Sequence, residues 1–284
     1  MGTKDAGWDW EISSKTSYWN DGFKSLWAYR HFIASLIRRD FLLNYQQTIL
    51  GPLWILFQPV LTLVTYVIVF GKMVKLPTGN LPPVLFYFSG IVLWNFFSDT
   101  FGGTSNTFRE NAQIFSKVYF PRIISPLSVT GTNFLRFTIQ LILLILLTAY
   151  YVLFSKVKLS LSYWLLAFPL AIGCTGLIAL SLGLIFSVLT AKYRDMGNLV
   201  GLAIRLLMFV TPVLYPLAAV NKDLSWIVKV NPLTSLFELF RLSLLGEGTF
   251  YPSYFIYSLI FLLVITTIAV LVFNKQGDKL IDVV

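Results

Sequence analysis

Charge is what this chain has least of: 12% of its 284 residues are Asp, Glu, Lys or Arg, while 56% are hydrophobic and the mean hydropathy is +0.73. Soluble domains carry about 25% charged residues, so a water-soluble globular fold is excluded. Cysteine is nearly absent as well. Cys174 stands alone in an apolar stretch, so no intrachain disulfide can form. Histidine is limited to His31, and no cluster of His, Cys, Asp or Glu stands at metal-ligand spacing, which argues against a metal site.

Other absences narrow the chemistry further. No GxxxxGK[ST] occurs, so the chain cannot cradle nucleotide phosphates in the P-loop manner, and any ATP dependence comes from another polypeptide. Carboxylates near the apolar stretches are limited to Asp99 and Glu238, whereas a membrane-embedded transferase needs convergent acids or a histidine. There is no internal repeat and no linker rich in Gly and Ser. The first 22 residues hold charges and scattered Trp without a continuous apolar core or a small-residue cleavage site, so they do not read as a signal peptide.

What is present is a series of apolar runs. Roughly 20 apolar residues cross about 30 Å of hydrocarbon, and such stretches fall near 50–71, 84–106, 123–154, 162–189, 198–217 and 253–273. The runs are continuous, which excludes a β-barrel, whose strands alternate over about 10 residues. The expectation is an all-α polytopic membrane protein with six transmembrane helices. It divides into a cytoplasmic N-terminal segment (1–49), a membrane domain (50–273) and a cytoplasmic tail (274–284). With both termini inside, the inner segments hold 13 Lys and Arg and the outer ones seven, a count that favours this orientation. The net charge of +9 suits anionic lipid headgroups rather than nucleic acid.

Before the first span, Phe23, Leu26, Tyr29, Ile33, Leu36 and Ile37 recur at helical spacing, with Phe32 off the stripe. This predicts an amphipathic helix on the membrane surface. Residues 38–59, RRDFLLNYQQTILGPLWILFQP, then run from a basic stretch into the first span, and the surface helix is expected to join it without a loop. Gly51-Pro52 predicts a bend there and Pro59 a kink, because proline lacks the N–H that an inner helical turn needs. Between spans two and three, Arg109 to Lys117 predicts a short cytoplasmic helix capped by Asn106 or Thr107. The long third run is expected to tilt or bend, with Gly131 as the place for it. Small residues from Gly173 to Ser187 predict a buried fourth span. Beyond span five, Tyr215–Val230 and Pro232–Leu245 read as two outer re-entrant or interfacial pieces.

Arg136 and Arg205 lie within spans, where a charge costs at least about 2.5–3.5 kcal/mol on insertion scales. Two readings stand: they face a polar cavity and take phosphate, or they snorkel or pair with a carbonyl or a ring. Glu238 and Arg241 read most simply as an i, i+3 ion pair. Aromatics number 47, more than two interfacial belts need. They either pack and face lipid or offer stacking faces to sugar rings.

The surface helix running into RRDFLLNYQQTILGPLWILFQP, then KVYFPRIISPLS, AKYRDMGNL, TPVLYP and NPLTSLFELFR, in this order, resemble the transmembrane subunit of type-2 ABC exporters for bacterial polysaccharides. The likeness covers about residues 25–275. It implies a transport subunit, not an enzyme, that forms a homodimer and recruits two copies of an ABC ATPase carrying the ATP and Mg. The implied cargo is a lipid-pyrophosphate-linked polysaccharide, O-antigen first, moved across the bacterial inner membrane. Teichoic acid or capsule export, or a drug or lipid exporter of the same fold, are the alternatives. By the same resemblance Arg30, Arg109, Glu110 and Lys117 couple to the ATPase, and Arg38, Arg39, Lys117, Lys192, Arg194 and Arg205 receive the pyrophosphate. Trp54, Phe57, Tyr66, Tyr87, Trp94 and Phe97 guide the sugar chain. Pro52, Pro59, Tyr215, Pro216, Glu238 and Arg241 form the gates.

Overall fold

The computed structural model describes residues 27–111, 120–154, 166–221 and 223–277, and all that follows concerns these residues. Every regular element among them is helical. A surface helix, α1 (Arg30–Tyr45), precedes α2 (Trp54–Tyr66), which continues as a wider π-helical segment over Val67–Met73. Then come α3 (Pro83–Ser105), the one-turn α4 (Thr107–Glu110), α5 (Ile124–Phe154), α6 (Ala167–Lys192) and α7 (Met196–Val210). Two shorter helices, α8 (Ser225–Val230) and α9 (Pro232–Leu245), lead to the final helix α10 (Pro252–Gly277).

Five of these segments are long and apolar enough to cross a membrane: Gly51–Met73, Pro83–Ser105, Ile124–Phe154, Ala167–Lys192 and Pro252–Lys275. The protein is therefore a multi-pass membrane protein. The run expected over 198–217 differs. Its helix stops at Val210, and 15 residues rise only about 22 Å. The reason is local: Pro212 forces the residue before it out of the helical region, and Thr211 is extended at φ −91°, ψ 139°.

The surface helix does not run straight into the first span. Between them Gln46 is extended, and Gln47 and Gly51 take left-handed φ of 59° and 53°. Pro52 then opens a 3₁₀ turn over Gly51–Leu53, where its missing N–H costs nothing. The connection is a turn, and α1 packs elsewhere. Tyr29, Phe32, Ile33 and Leu36 form a cluster with Phe120 and Ile124 at the start of α5, Phe32 meeting Phe120 edge-on at 5.2 Å. Phe32 is thus part of the packed face. Ile37 lies where a side chain at Gly131 would stand, so Gly131 makes room for α1 within a helix that continues unbroken from Ile124 to Phe154.

Span two, α3, is the centre of the bundle: 78% of its membrane window is buried, against 17% for the first and last spans. Span four reaches it through small residues, as its composition predicts. A side chain at Gly183 would meet Thr104 Cβ at 2.5 Å, and one at Gly176 the ring of Phe96 at 2.9 Å. Thr190 on α6 donates to the carbonyl of Ser105.

Proline marks the segment after α7 as well. Asn231 caps α9 by accepting the Leu233 N–H at 3.0 Å, Pro232 follows in the first turn, and Gly246 closes the helix at φ 71°. The expected subdivision at 231–232 is the observed one.

Candidate functional site

Three parts of the chain bring polar chemistry together. The first is a polar cavity of about 470 Å³ under the C-terminal half of α1, walled by α3, α4 and α5. Asp40, Asp99, Glu110 and Arg136 line it with Asn44 and Asn133. The Arg136 guanidinium sits 5.6 Å from the centre of the Tyr45 ring, at the end of α1. Arg136 therefore serves a cavity and an aromatic face at once, where the sequence left these as alternatives. Asp40 is held by Arg39 at 2.6 Å. Burial raises the Tyr45 hydroxyl above its ordinary value, opposed by Arg136. Burial likewise pushes the Glu110 carboxyl up, with Arg109 opposing and Asp40 adding to the rise.

The second part lies one turn deeper on α5. Proline at 59 has no N–H to give the carbonyl of Ile55 four residues back, and Gln140 Nε2 donates to that oxygen at 3.3 Å. Asn95 Nδ2 on α3 donates in turn to Gln140 Oε1 at 3.4 Å. Spans one, two and three are thus linked at one point. Sequence reasoning missed Gln140, although Asn133, Arg136 and Gln140 at i, i+3 and i+7 form a polar stripe that could have found it.

The third part lies toward the opposite end of α3, around α9. Glu238 and Arg241 are 3% and 2% exposed, their nearest N and O 3.7 Å apart. Arg241 Nη2 donates to the Val213 carbonyl at 2.8 Å, and its guanidinium lies 4.0 Å from the centre of the Phe86 ring. Glu238 Oε2 accepts the backbone N–H of Thr249 at 3.0 Å. The expected i, i+3 pair is a buried hub joining α9 to the turn after α7, the start of α3 and the segment before α10.

The remaining candidates divide by exposure. Trp54 and Phe57 are 41% and 44% exposed and meet edge-on at 5.5 Å, while Tyr66 is half-buried with its hydroxyl 3.9 Å from Met208 Sδ on α7. Tyr87, Trp94 and Phe97 are 0%, 5% and 0% exposed, packed inside this chain's own core. In this arrangement these three rings leave no face free for stacking. Their helix α3 has no marked amphipathic stripe, which hid its central position.

Arg205 is exposed midway along α7, beside the exposed Leu202, Leu206 and Phe209. Lys192, over the Tyr193 ring at 5.2 Å, and Arg194 are exposed at the turn before α7. Arg38 is exposed, and Arg39 is committed to Asp40. Arg30, exposed on α1, donates to the Trp27 carbonyl at 3.1 Å, and Arg109 and Glu110 are exposed on α4. Lys117 lies outside the described residues. Asn106 and Thr107 do not cap α4: their side chains donate back to the carbonyls of Gly102 and Gly103. Pro52 is exposed in its turn, Pro59 is buried, and Tyr215, next to Pro216, donates its hydroxyl to the Phe209 carbonyl at 2.8 Å.

Comparison with known proteins agrees with this architecture. An O-antigen export system permease protein RfbA of Myxococcus xanthus is 28% identical over 220 residues, covering 77% of this chain and 82% of the relative. Two proteins of the same name from Klebsiella pneumoniae are each 29% identical over 252 residues, covering 87% of this chain and 93% of theirs. The family model described as ABC-2 type transporter matches residues 31–245, from the surface helix to the end of α9. With that match spanning α1, the polar cavity and the buried Glu238–Arg241 hub alike, the chain belongs to the ABC-2 type transporter family.

Proposed function

We propose that this chain is the membrane permease of an O-antigen exporter, which moves a lipid-pyrophosphate-linked polysaccharide across the bacterial inner membrane. The relatives' names support the cargo, and one structural observation carries the path: Arg205 is exposed in the middle of an apolar helix face. A guanidinium facing hydrocarbon costs at least about 2.5–3.5 kcal/mol. The face of α7 that bears it therefore meets a polar lumen or a second copy of the chain. On the neighbouring first span, Trp54 and Phe57 also present free faces, and Tyr66 and Met208 touch across the two helices.

In this reading the permease is a homodimer of six-span protomers, α7 with the turn after it completing the sixth crossing, and both termini are cytoplasmic. The domain limits are 1–49, 50–273 and 274–284. Two ABC ATPase subunits supply ATP and Mg chemistry from outside this chain and dock on α1 and on the segment beginning at α4. Arg30, Arg109, Glu110 and Lys117 are the coupling residues. Arg38, Lys192, Arg194 and Arg205 attract the pyrophosphate, with Arg39 less available because of its ion pair. Trp54, Phe57 and Tyr66 guide the sugar chain.

Energy enters through differential docking of α1 in two states of the bundle. Because α1 packs on α5, its displacement loads span three first. Span three passes it to span one through Gln140 and Ile55 and to span two through Asn95. Pro52 and Pro59 border this route on the inner side, and Tyr215, Pro216, Glu238 and Arg241 hold the outer pieces that act as gate helices.

The test is deletion of the gene followed by gel analysis of surface glycan and of lipid-linked intermediates. Accumulation of finished polymer inside the cell, reversed by the wild-type gene, supports the reading. Unchanged surface glycan sinks it.

A further inference from the structure

Beside the outer hub lies a cavity of about 270 Å³, walled mainly by Phe86, Pro216 and Ala218 and floored by Glu238, Arg241 and Thr249. Arg241, 2% exposed, spends one nitrogen on the Val213 carbonyl, while Nε and Nη1 make no hydrogen bond among the described residues. The nearest carboxylate oxygen, Glu238 Oε1, is 3.7 Å from Nη1, beyond hydrogen-bond reach. That oxygen accepts only a long 3.5 Å contact from the Leu217 N–H, whereas Oε2 is taken by Thr249. Buried donors and an under-used acceptor thus stand side by side. Leaving such groups unmatched costs roughly 1–3 kcal/mol each.

An occupant that satisfies them must accept from a guanidinium and donate to a carboxylate at neighbouring atoms. A hydroxyl does both. The charge balance disfavours an anion, because Glu238 and Glu247 both line the cavity against one arginine. The remaining wall is aromatic and aliphatic and suits C–H faces. Its volume lies just under the range of about 300–1,000 Å³ common for drug-sized ligands, which limits it to a single ring. We propose that this outer cavity binds one neutral sugar unit, through hydroxyls on Arg241 and Glu238 and a C–H face on the apolar wall. The site is separate from the aromatic face of span one, and it rests on the glycan-export reading for the source of its sugar.

The test uses the full-length chain in lipid nanodiscs, with saturation-transfer NMR against D-glucose, D-galactose and D-mannose and with acetate and inorganic phosphate as anion probes. At least one hexose is expected to bind saturably in the millimolar range. Ala218→Trp, placed at the exposed edge of the cavity, is expected to weaken it roughly tenfold or more, about 1.4 kcal/mol, with thermal stability unchanged. Arg241→Lys is expected to weaken it similarly, and Ala218→Trp decides the matter should the lysine variant not fold. Binding of no hexose, equal binding in Ala218→Trp, or tighter binding of either anion overturns the site. Complementation of surface glycan by the wild-type gene is scored separately: export without sugar binding removes this site alone, and loss of complementation removes the glycan reading.

Discussion

The side-chain amide of Gln140 on α5 donates to the carbonyl of Ile55 on α2 at 3.3 Å, the one acceptor in that turn whose helical partner, Pro59, has no N–H. A proline that would leave a bare carbonyl inside the membrane is matched by a donor from the neighbouring span. The match also decides which face of α5 looks toward α2.

Removing the donor should therefore cost stability only while the proline is present. Gln140→Leu is expected to destabilise by about 1 kcal/mol, within the range measured for hydrogen bonds between membrane helices. In a Pro59→Ala background, where residue 59 supplies its own N–H, the same change should cost markedly less. Thermal unfolding of the four proteins in detergent measures this, and an equal cost in both backgrounds refutes the assignment.

At the Glu238–Arg241 hub both partners of the ion pair are buried. Arg241→Met strands Glu238 among apolar neighbours, and breaking one partner of such a pair costs about 3–5 kcal/mol. The double variant Arg241→Met with Glu238→Gln should recover part of that loss. Folded yield and melting temperature are the readouts.

Exposure of Arg205 makes a contrasting case. Arg205→Leu removes a charge that contacts nothing structural on its own helix face, so folding and membrane insertion should be retained or improved. Export of surface glycan should fall by roughly tenfold or more, the effect of one lost phosphate or partner contact of about 1.4 kcal/mol. Normal export in this variant would show that the face carries no cargo.

Glycine positions differ in the space they leave. Gly183→Ala drives a methyl into Thr104, with Cγ2 at 2.7 Å and the Phe101 carbonyl at 3.3 Å, and should cost about 1–3 kcal/mol. Gly173→Ala, on the same helix with open space around it, should be neutral or stabilising. Equal effects would contradict the close packing of spans two and four.

The raised Glu110 carboxyl sets a direction with pH. Its folded form holds a proton at pH values where the unfolded chain has already released it, so stability is greatest below the ordinary glutamate range and falls as pH rises through the raised value. Glu110→Gln should remove this dependence and raise the neutral-pH melting temperature by less than about 2 °C, since the carboxyl is partly exposed. A pH profile unchanged by the substitution would exclude Glu110 as its source.

Much of the plan was legible along the chain. Positions of five of the six expected spans, the bend at Gly51-Pro52, the break at Asn231-Pro232 and the close approach of span four follow from hydropathy and from what Gly and Pro do to their own neighbours. Arg136 was visible as an intramembrane charge, but its cavity was not, because Asp40, Asn44, Asp99 and Glu110 reach it from other helices. Glu238 and Arg241 were legible as an i, i+3 pair, but that spacing says nothing about burial, and only the packing around them shows that both are enclosed. The loop-free junction was a misreading: polar Gln46 and Gln47 do not break a helical pattern, and only the backbone at Gln47 and Gly51 reveals the turn.

Sequence by itself determined that this is an all-helical membrane protein with these segments, since the cost of placing a residue in hydrocarbon is a local quantity that sums along the chain. Tertiary structure alone decided which spans are central. Neither the second nor the last carries a marked amphipathic stripe, yet one is 78% buried and the other 17%. In lipid no amphipathic stripe is needed to keep a helix in place, so no periodicity records its neighbours. Close contact is set by small residues, orphaned carbonyls and buried charges, and each acquires its meaning from a partner far away in the chain.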